Sequence, residues 1–125
     1  MKILLVDDSR TMRNIQKKIL EPMGVTEFAE AGDGLEALTC LATGTVFDLG
    51  LVDWNMPNMD GFTLVKKIRE TNKTLPLIMV TTEAEKTRVI EAIKAGVNNY
   101  VIKPFTPEGL TEKVQQTLAK LKAAA

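Results

Sequence analysis

Histidine is absent from this chain of 125 residues, and cysteine, tryptophan and tyrosine occur once each. Without histidine the chain lacks the commonest general base and the commonest zinc ligand, so histidine chemistry must come from a partner. The lone Cys40 cannot form an internal disulfide, and its helix-like surroundings favour buried packing over reactivity. These absences argue against histidine-based catalysis, an ordinary zinc centre and a disulfide scaffold.

Long hydrophobic runs and a charge excess of one sign are also missing. No run of about eighteen apolar residues could span a membrane, and the N-terminal MKILLVDD reaches aspartates before a signal-peptide core forms. The 16 Lys and Arg residues balance 16 Asp and Glu residues, so no overall basic field favours nucleic acid. We expect a soluble, cytoplasmic protein that binds neither membranes nor nucleic acid.

What the sequence does contain is an alternation of short apolar runs with longer stretches of helical periodicity. This alternation predicts βαβ units, hence a doubly wound α/β fold with a five-stranded parallel sheet. We predict strands over residues 3–6, 25–30, 47–52, 75–80 and 100–102. Predicted helices cover 10–23, a segment after Asp33-Gly34, 62–70, 83–95 and a last segment from Pro107. One domain, 1–125, is expected, with a tail, 120–125, that frays.

Helical spacing also predicts which apolar side chains face the core. In the first helix these residues are Met12, Ile15, Ile19 and Leu20, after a Ser9 cap. The second helix carries Leu35, Leu38 and Leu41.

Carboxylates follow two of the predicted strands directly. Asp7 and Asp8 come after the first strand, and Asp53 comes after the third. In the flavodoxin-like order 2-1-3-4-5 these strands are neighbours, so the three side chains would converge in the crevice beyond the strand ends. Carboxylates this close repel one another unless a hard divalent cation lies among them, which favours Mg²⁺ or Mn²⁺. A carboxylate beside such an ion can attack a phosphoryl group and form an aspartyl phosphate.

Two further polar residues end the remaining strands. Thr81 follows the fourth strand and Lys103 follows the fifth. A hydroxyl and an ammonium group at this edge would bind phosphoryl oxygens. Any one of these residues alone is more often a turn former or a solvated side chain, but five of them at four strand ends indicate a phosphoryl site.

The chain resembles response-regulator receiver domains over nearly all of its length. The resemblance depends on LLVDDS at 4–9, DWNMPNMDG at 53–61, VTTEAEK at 80–86 and AGVNNYVIKPF at 95–105. Trp54, Glu83 and the segment NYVIKPFT make it similar to the CheY-type chemotaxis receivers within that family. The resemblance implies a (βα)5 flavodoxin-like, or CheY-like, fold and a signalling protein rather than an enzyme.

The resemblance also implies a role for each site residue. Asp53 matches the phosphoacceptor; Asp8 matches a direct metal ligand, Asp7 an acidic partner and Asn55 a carbonyl ligand. Thr81 and Lys103 match the groups that bind the phosphoryl oxygens. Other matched roles are an aromatic switch at Tyr100, a cis-proline at Pro104, and tuning of dephosphorylation at Asn55 and Glu83. At the position after Thr81, where relatives often have Ala, this chain has Thr82, which would alter access to the site.

Output would pass through a surface that changes shape when Thr81 and Tyr100 move. The resemblance places this surface on the fourth helix, fifth strand and fifth helix, with candidate residues Ala84, Val89, Ile93, Lys94, Val97, Tyr100 and Lys113. Core packing is the competing interpretation for Val89, Ile93 and Val97. The implied phosphoryl donor is a sensor histidine kinase of the CheA type. The implied output partner of this monomer is a flagellar motor switch protein or a phosphatase.

Three alternatives stay open at this point. The chain could be a single-domain phosphorelay intermediate that passes its phosphoryl group to a histidine phosphotransferase. A Mg²⁺-dependent aspartyl-phosphate phosphatase is disfavoured because Asn55 occupies the place of its second acid. A flavin-binding electron carrier is disfavoured because the acidic pair after the first strand would repel a phosphate group.

Overall fold

The computed structural model describes the backbone of residues 1–124 and the side-chain surroundings of residues 1–121. Five strands and five α-helices alternate along these residues. The strands are β1 (Lys2–Val6), β2 (Glu27–Ala31), β3 (Leu49–Val52), β4 (Leu77–Thr81) and β5 (Asn99–Ile102). The helices are α1 (Arg10–Leu20), α2 (Gly34–Ala42), α3 (Gly61–Thr71), α4 (Lys86–Ala95) and α5 (Pro107–Ala124). The expected fraying of 120–125 stays a prediction, and residue 125 lies outside the described residues.

Three elements begin two or three residues later than predicted: β2 at Glu27, β3 at Leu49 and α4 at Lys86. Two further element boundaries differ from the predictions because of proline. The first helix ends at Leu20 rather than at residue 23, and a 3₁₀ helix with Pro22 in its first turn covers Glu21–Met23. The fourth strand begins at Leu77 rather than at residue 75, directly after Pro76, which has no N–H to donate to a neighbouring strand. Both prolines interrupt a pattern that the apolar residues alone would continue.

The sheet has the predicted parallel order, β2-β1-β3-β4-β5. This is the doubly wound order of flavodoxin and CheY, in which the strand order reverses between β1 and β3. In the register of β1 with β3, Val6 lies opposite Val52. In the register of β4 with β5, Thr81 lies opposite Ile102. The residues that follow these pairs therefore emerge at the same edge of the sheet.

Helices cover both faces of the sheet, and successive strand residues belong to different cores. Leu4 and Val6 pack in a cluster with residues of α2, α3 and α4. Ile3 and Leu5 pack in a second cluster, with residues of α1 and α5. This is why the inner strands are apolar at every position, as in parallel sheets generally.

One residue of the predicted apolar face of α1 and one leucine of α2 are exposed. Ile15 is 43% exposed and Leu35 is 52% exposed. The buried residues of α1 are Gln16 and Leu20, and those of α2 are Gly34 and Ala37. The buried face of α1 is therefore rotated from the predicted apolar face by about one residue. Within residues 1–124, no helix combines the length and apolar character that a membrane crossing requires.

Candidate functional site

Three carboxylates meet at the carboxyl ends of β1 and β3. The amide of Asp53 donates to the carbonyl oxygen of Val6 at 2.9 Å, which extends the strand pairing and places Asp53 beside Asp7. One carboxylate oxygen from each of Asp7, Asp8 and Asp53 lies within 4.8 Å of the others. Asp7 and Asp53 are buried, whereas Asp8 is exposed. The predicted convergence of the acidic residues is present.

Lys103 is the cation inside this cluster. Its amide donates to the carbonyl oxygen of Thr81 at 2.8 Å, which fixes the backbone where β5 ends. Its ammonium nitrogen lies 2.7 Å from an Asp7 oxygen and 3.4 Å from an Asp53 oxygen. The following peptide bond, to Pro104, is cis as the resemblance implied. Lys103 thus reaches the place where a group bound to Asp53 would lie.

The electrostatics of the cluster leave Asp53 short of positive charge. Burial is the main cause that raises the pKa of Asp53, and the charge of Asp7 adds to it. Lys103 and the Thr81 hydroxyl act in the opposite direction but do not overcome the rise. Three carboxylates and one ammonium group leave an excess of negative charge that a further cation would neutralise. Because all the available ligand atoms are oxygens, they fit a hard divalent ion.

The loop between β3 and α3 is held close to the phosphoacceptor candidate. A Cβ atom on Gly61 would lie 2.0 Å from the carbonyl oxygen of Asp53, so only glycine fits there. The Gly61 amide also donates to the Trp54 carbonyl at 2.8 Å. Farther along, Asn58 has a φ of 65° and donates its side-chain amide to Asp33 at 2.6 Å. The start of α2 thereby anchors the loop that carries Asn55.

The predicted switch residues lie on the two strands beyond β3: Thr81 ends β4 and Tyr100 is part of β5. Thr81 is fully buried, and Tyr100 is 9% exposed with its hydroxyl donating to the Glu83 carbonyl. Burial and the charge of Glu83 raise the pKa of Tyr100 to about 12. The Asn55 side-chain amide donates to a Glu83 carboxylate oxygen at 3.2 Å. Thr82 is exposed beside them.

The candidates for a partner surface divide into exposed and packed residues. Ala84 and Lys94 are exposed, and Ile93 is 55% exposed. Val97 is buried in the core and Val89 packs against it, so core packing holds for these two. Lys113 is half-buried on α5. On α4 and β5, the exposed large apolar residues that the sequence did not single out are Ile90 and Ile102.

Two arginines contact the site without having been predicted. The guanidinium of Arg13 donates to the Asp7 carbonyl and to Glu30, the latter at 2.9 Å. The guanidinium of Arg88 lies 5.4 Å from the centroid of the Trp54 ring. Both residues follow a helical pattern in which a charged side chain is ordinarily solvated, so neither carried a signal in the sequence.

Comparisons with known proteins agree with this geometry. Residues 3–115 match the family model described as "Response regulator receiver domain". The chain is 50% identical to chemotaxis protein CheY1 of Helicobacter pylori, with 94% of this chain and 97% of that protein covered. It is 49% identical to chemotaxis protein CheY of Pseudomonas aeruginosa, with coverage of 97% and 98%.

Solved structures show the same likeness. A CheY-like response regulator receiver domain protein from Methanospirillum hungatei superposes with a TM-score of 0.90 at 31% identity. The superposition covers 99% of this chain and 98% of that one. Sequence motifs, sheet order, acidic cluster and relatives agree: the chain belongs to the response-regulator receiver family, whose CheY-type members are signalling proteins rather than conventional enzymes.

Proposed function

We propose that this chain is a stand-alone chemotaxis response regulator that takes a phosphoryl group onto Asp53. The observation that carries the proposal is the buried Asp53 carboxylate, which lies beside Asp7 and Asp8 with Lys103 at 3.4 Å. The donor is a phosphohistidine of a CheA-type sensor kinase, because this chain contains no histidine. Asp7, Asp8, Asp53 and the Asn55 carbonyl would hold Mg²⁺ or Mn²⁺.

The chemistry is transfer of a phosphoryl group between two side chains. A carboxylate oxygen of Asp53 attacks phosphorus, the bond from phosphorus to the donor imidazole nitrogen breaks, and that nitrogen keeps the electron pair. The products are an aspartyl phosphate and a histidine. When bound, Mg²⁺ supplies charge neutralisation for the transferring group. Catalysis is then mainly a matter of position and electrostatics.

Lys103 and Thr81 bind the oxygens of the phosphoryl group on Asp53. Lys103 spans Asp7 and Asp53 at 2.7 and 3.4 Å, so a short displacement of its ammonium group reaches a phosphoryl oxygen on Asp53. The Thr81 hydroxyl is buried on the same side. Phosphorylation adds between one and two negative charges, which both groups attract.

Movement of Thr81 is proposed to reach the surface through Tyr100 and α4. Tyr100 already lies inside, with its hydroxyl donating to the Glu83 carbonyl, which is the ring position that the resemblance assigns to the active state. Movement of Thr81 would therefore stabilise this ring position rather than create it. Asn55 and Glu83 bridge the mouth of the site at 3.2 Å, where they meet the water that hydrolyses the acyl phosphate, and Thr82 lies next to them. We expect a phosphorylated state that decays within minutes.

The output surface comprises exposed residues of the α4, β5 and α5 region. It includes Ala84, Ile93 and Lys94, with Lys113 and the edge of Tyr100. The relatives are chemotaxis proteins, which supports a flagellar motor switch protein, or a phosphatase, as the reader. Val89 and Val97 support this surface from the core side. The alignment covers 97% of the Helicobacter relative, and we propose that the chain acts as a monomer.

The fluorescence of Trp54, the only tryptophan, tests the site. It should respond to Mg²⁺, and then respond again to beryllofluoride or acetyl phosphate. Asp53→Ala should abolish the second response. Asp48→Ala removes an exposed carboxylate just before the opposite end of β3 and should leave both responses intact. A second response that persists in Asp53→Ala would show that another residue is the acceptor.

A binding experiment separates the motor partner from a phosphorelay. The chain, immobilised with and without beryllofluoride, is offered a motor switch protein and a histidine phosphotransferase. We expect capture of the motor switch protein, strengthened by beryllofluoride. Capture of the phosphotransferase alone would reassign the chain to a relay.

A further inference from the structure

An open groove of about 570 Å³ runs between α3 and α4, outside the phosphoryl site. Its apolar floor includes the ring of Phe62, which is half-buried, and Ala95. Four basic side chains line it: Lys66 and Arg69 on α3, Lys73 in the loop that follows α3, and Lys94 on α4. An apolar floor with a charged rim is the form of a surface that binds an amphipathic segment.

The charge of the groove is positive although that of the whole chain is balanced. Two carboxylates, Glu70 and Glu91, also line it, and Glu91 lies 3.7 Å from Arg88. The guanidinium of Arg69 donates to the Gly96 carbonyl at 3.0 and 2.8 Å, which fixes the group without neutralising its charge. The rim therefore keeps an excess of positive charge that complements an acidic ligand.

The floor of the groove is connected to the phosphoacceptor candidate by stacked side chains. The Lys66 ammonium lies 5.0 Å from the centroid of the Phe62 ring. That ring stacks on Trp54 with a centroid distance of 5.2 Å and an interplanar angle of 19°. Trp54 is the residue after Asp53. A ligand that packs on Phe62 therefore alters the surroundings of Trp54.

We propose that the α3–α4 groove docks an acidic, amphipathic segment of a partner protein. An apolar side chain of the segment packs on Phe62 and Ala95, and flanking carboxylates pair with Lys66, Lys73 and Lys94. The open shape between two helices suits a helical segment better than an enclosed small molecule. Since the groove needs neither Mg²⁺ nor phosphorylation, its test is independent of the proposed function.

Three synthetic peptides with helical periodicity test the proposal on the unphosphorylated, metal-free full chain. One contains Glu and Leu, one Lys and Leu, and one Glu and Ser. Amide chemical shifts from NMR map the site, and Trp54 fluorescence gives the affinity. We expect the Glu–Leu peptide alone to bind, with shifts confined to α3, α4 and Trp54. Equal binding of the Lys–Leu or Glu–Ser peptide, or shifts elsewhere, would overturn the proposal.

Charge reversal in the groove provides the second test. The double variant Lys66→Glu/Lys73→Glu should weaken binding of the Glu–Leu peptide about tenfold, since two exposed ion pairs become repulsive. Lys67→Glu/Lys120→Glu makes the same change in net charge at exposed positions outside the groove and should bind normally. If the reversal variant is unstable in urea, Lys66→Gln/Lys73→Gln replaces it. Equal affinity in groove and control variants would contradict the proposal.

Discussion

The acidic half of the site and its switch half differ in how the chain holds their helices. α1, α2 and α3 each begin with a side-chain cap: Ser9, Asp33 and Asp60 accept from the backbone amide three residues later. α5 has a similar bond from the Gly109 amide to the Thr106 hydroxyl. α4 is the exception, because Glu85 at its start makes no side-chain cap hydrogen bond.

α4 is also lightly buried. Ala92 is its only buried residue, whereas α3 buries Gly61, Leu64, Val65 and Ile68. Capping and burial both oppose local opening, so α4 is the helix that can shift at the smallest cost. A receiver needs a rigid place for the chemistry and a helix that can respond to it. In this chain β3 and α3 provide the rigid place for the chemistry, and α4, after β4, is the helix that can respond.

The largest effect is expected from Gly61→Ala on the rigid side. Because the new methyl group would lie 2.0 Å from the Asp53 carbonyl oxygen, the loop must move, and the free energy of unfolding should fall by about 3 kcal/mol. Mg²⁺ should also lose its effect on Trp54 fluorescence. In Gly32→Ala the methyl group would meet the flexible Glu36 side chain at 3.3 Å, so urea unfolding should change by less than about 1 kcal/mol.

Metal binding should stabilise the acidic half almost as strongly. Mg²⁺ at about a hundred times its dissociation constant should raise the free energy of unfolding by about 2.7 kcal/mol, measured in urea against EDTA. Asp53→Asn removes a ligand and should lose most of this gain. An equal gain in Asp53→Asn would place the ion elsewhere.

The same variant has a predicted pH dependence without metal. The pKa of Asp53 is raised in the folded state, so its protonation stabilises the fold at low pH, and this contribution is lost as pH rises through the folded pKa. Metal-free Asp53→Asn should therefore be more stable than the parent chain at neutral pH, and this advantage should shrink in acid. A stability difference between Asp53→Asn and the parent chain that stays constant from acid to neutral pH would mean that the folded state does not raise the pKa of Asp53.

Exchanging the caps tests the contrast between the helices directly. Asp60→Ala should lower the free energy of unfolding by about 1 kcal/mol, because α3 loses its bond from the Thr63 amide at 2.8 Å. Glu85→Asp supplies α4 with a cap and should raise it by roughly 0.5 kcal/mol. Urea unfolding measures both. A loss of stability in Glu85→Asp would show that the backbone amides at the start of α4 already have hydrogen-bond partners.

The smallest effect is expected from Tyr100→Phe, measured against pH. The neutral phenol is favoured in the folded state because its pKa is about 12, against 10.0 ordinarily. Its contribution to stability is therefore present below pH 10 and is lost as pH rises through the folded pKa. The parent chain should lose stability over that range relative to Tyr100→Phe. Parallel curves would mean that the hydroxyl is solvated.

The sequence predicted those parts of the site that follow from strand ends. Asp7, Asp53 and Lys103 each come directly after an apolar strand, and parallel strands place such residues at one edge. It did not predict the contact of Arg13 with Asp7 or the bond of Asn58 to Asp33, since both depend on side-chain geometry that the strand ends do not fix. Helical periodicity did not fix which face of α1 is buried. Ile15 was predicted on the apolar face, but the neighbouring Gln16 is buried instead.

The position of β1 has a consequence for folding. β1 lies between β2 and β3, yet both partners follow it in the chain. Until Leu49–Val52 have been synthesised, Ile3–Val6 have one unpaired edge. During translation β1, although it is the first strand made, thus waits for a segment more than forty residues later before both of its edges are paired. A nascent chain that stops before residue 49 would expose an aggregation-prone edge, where an early chaperone would bind.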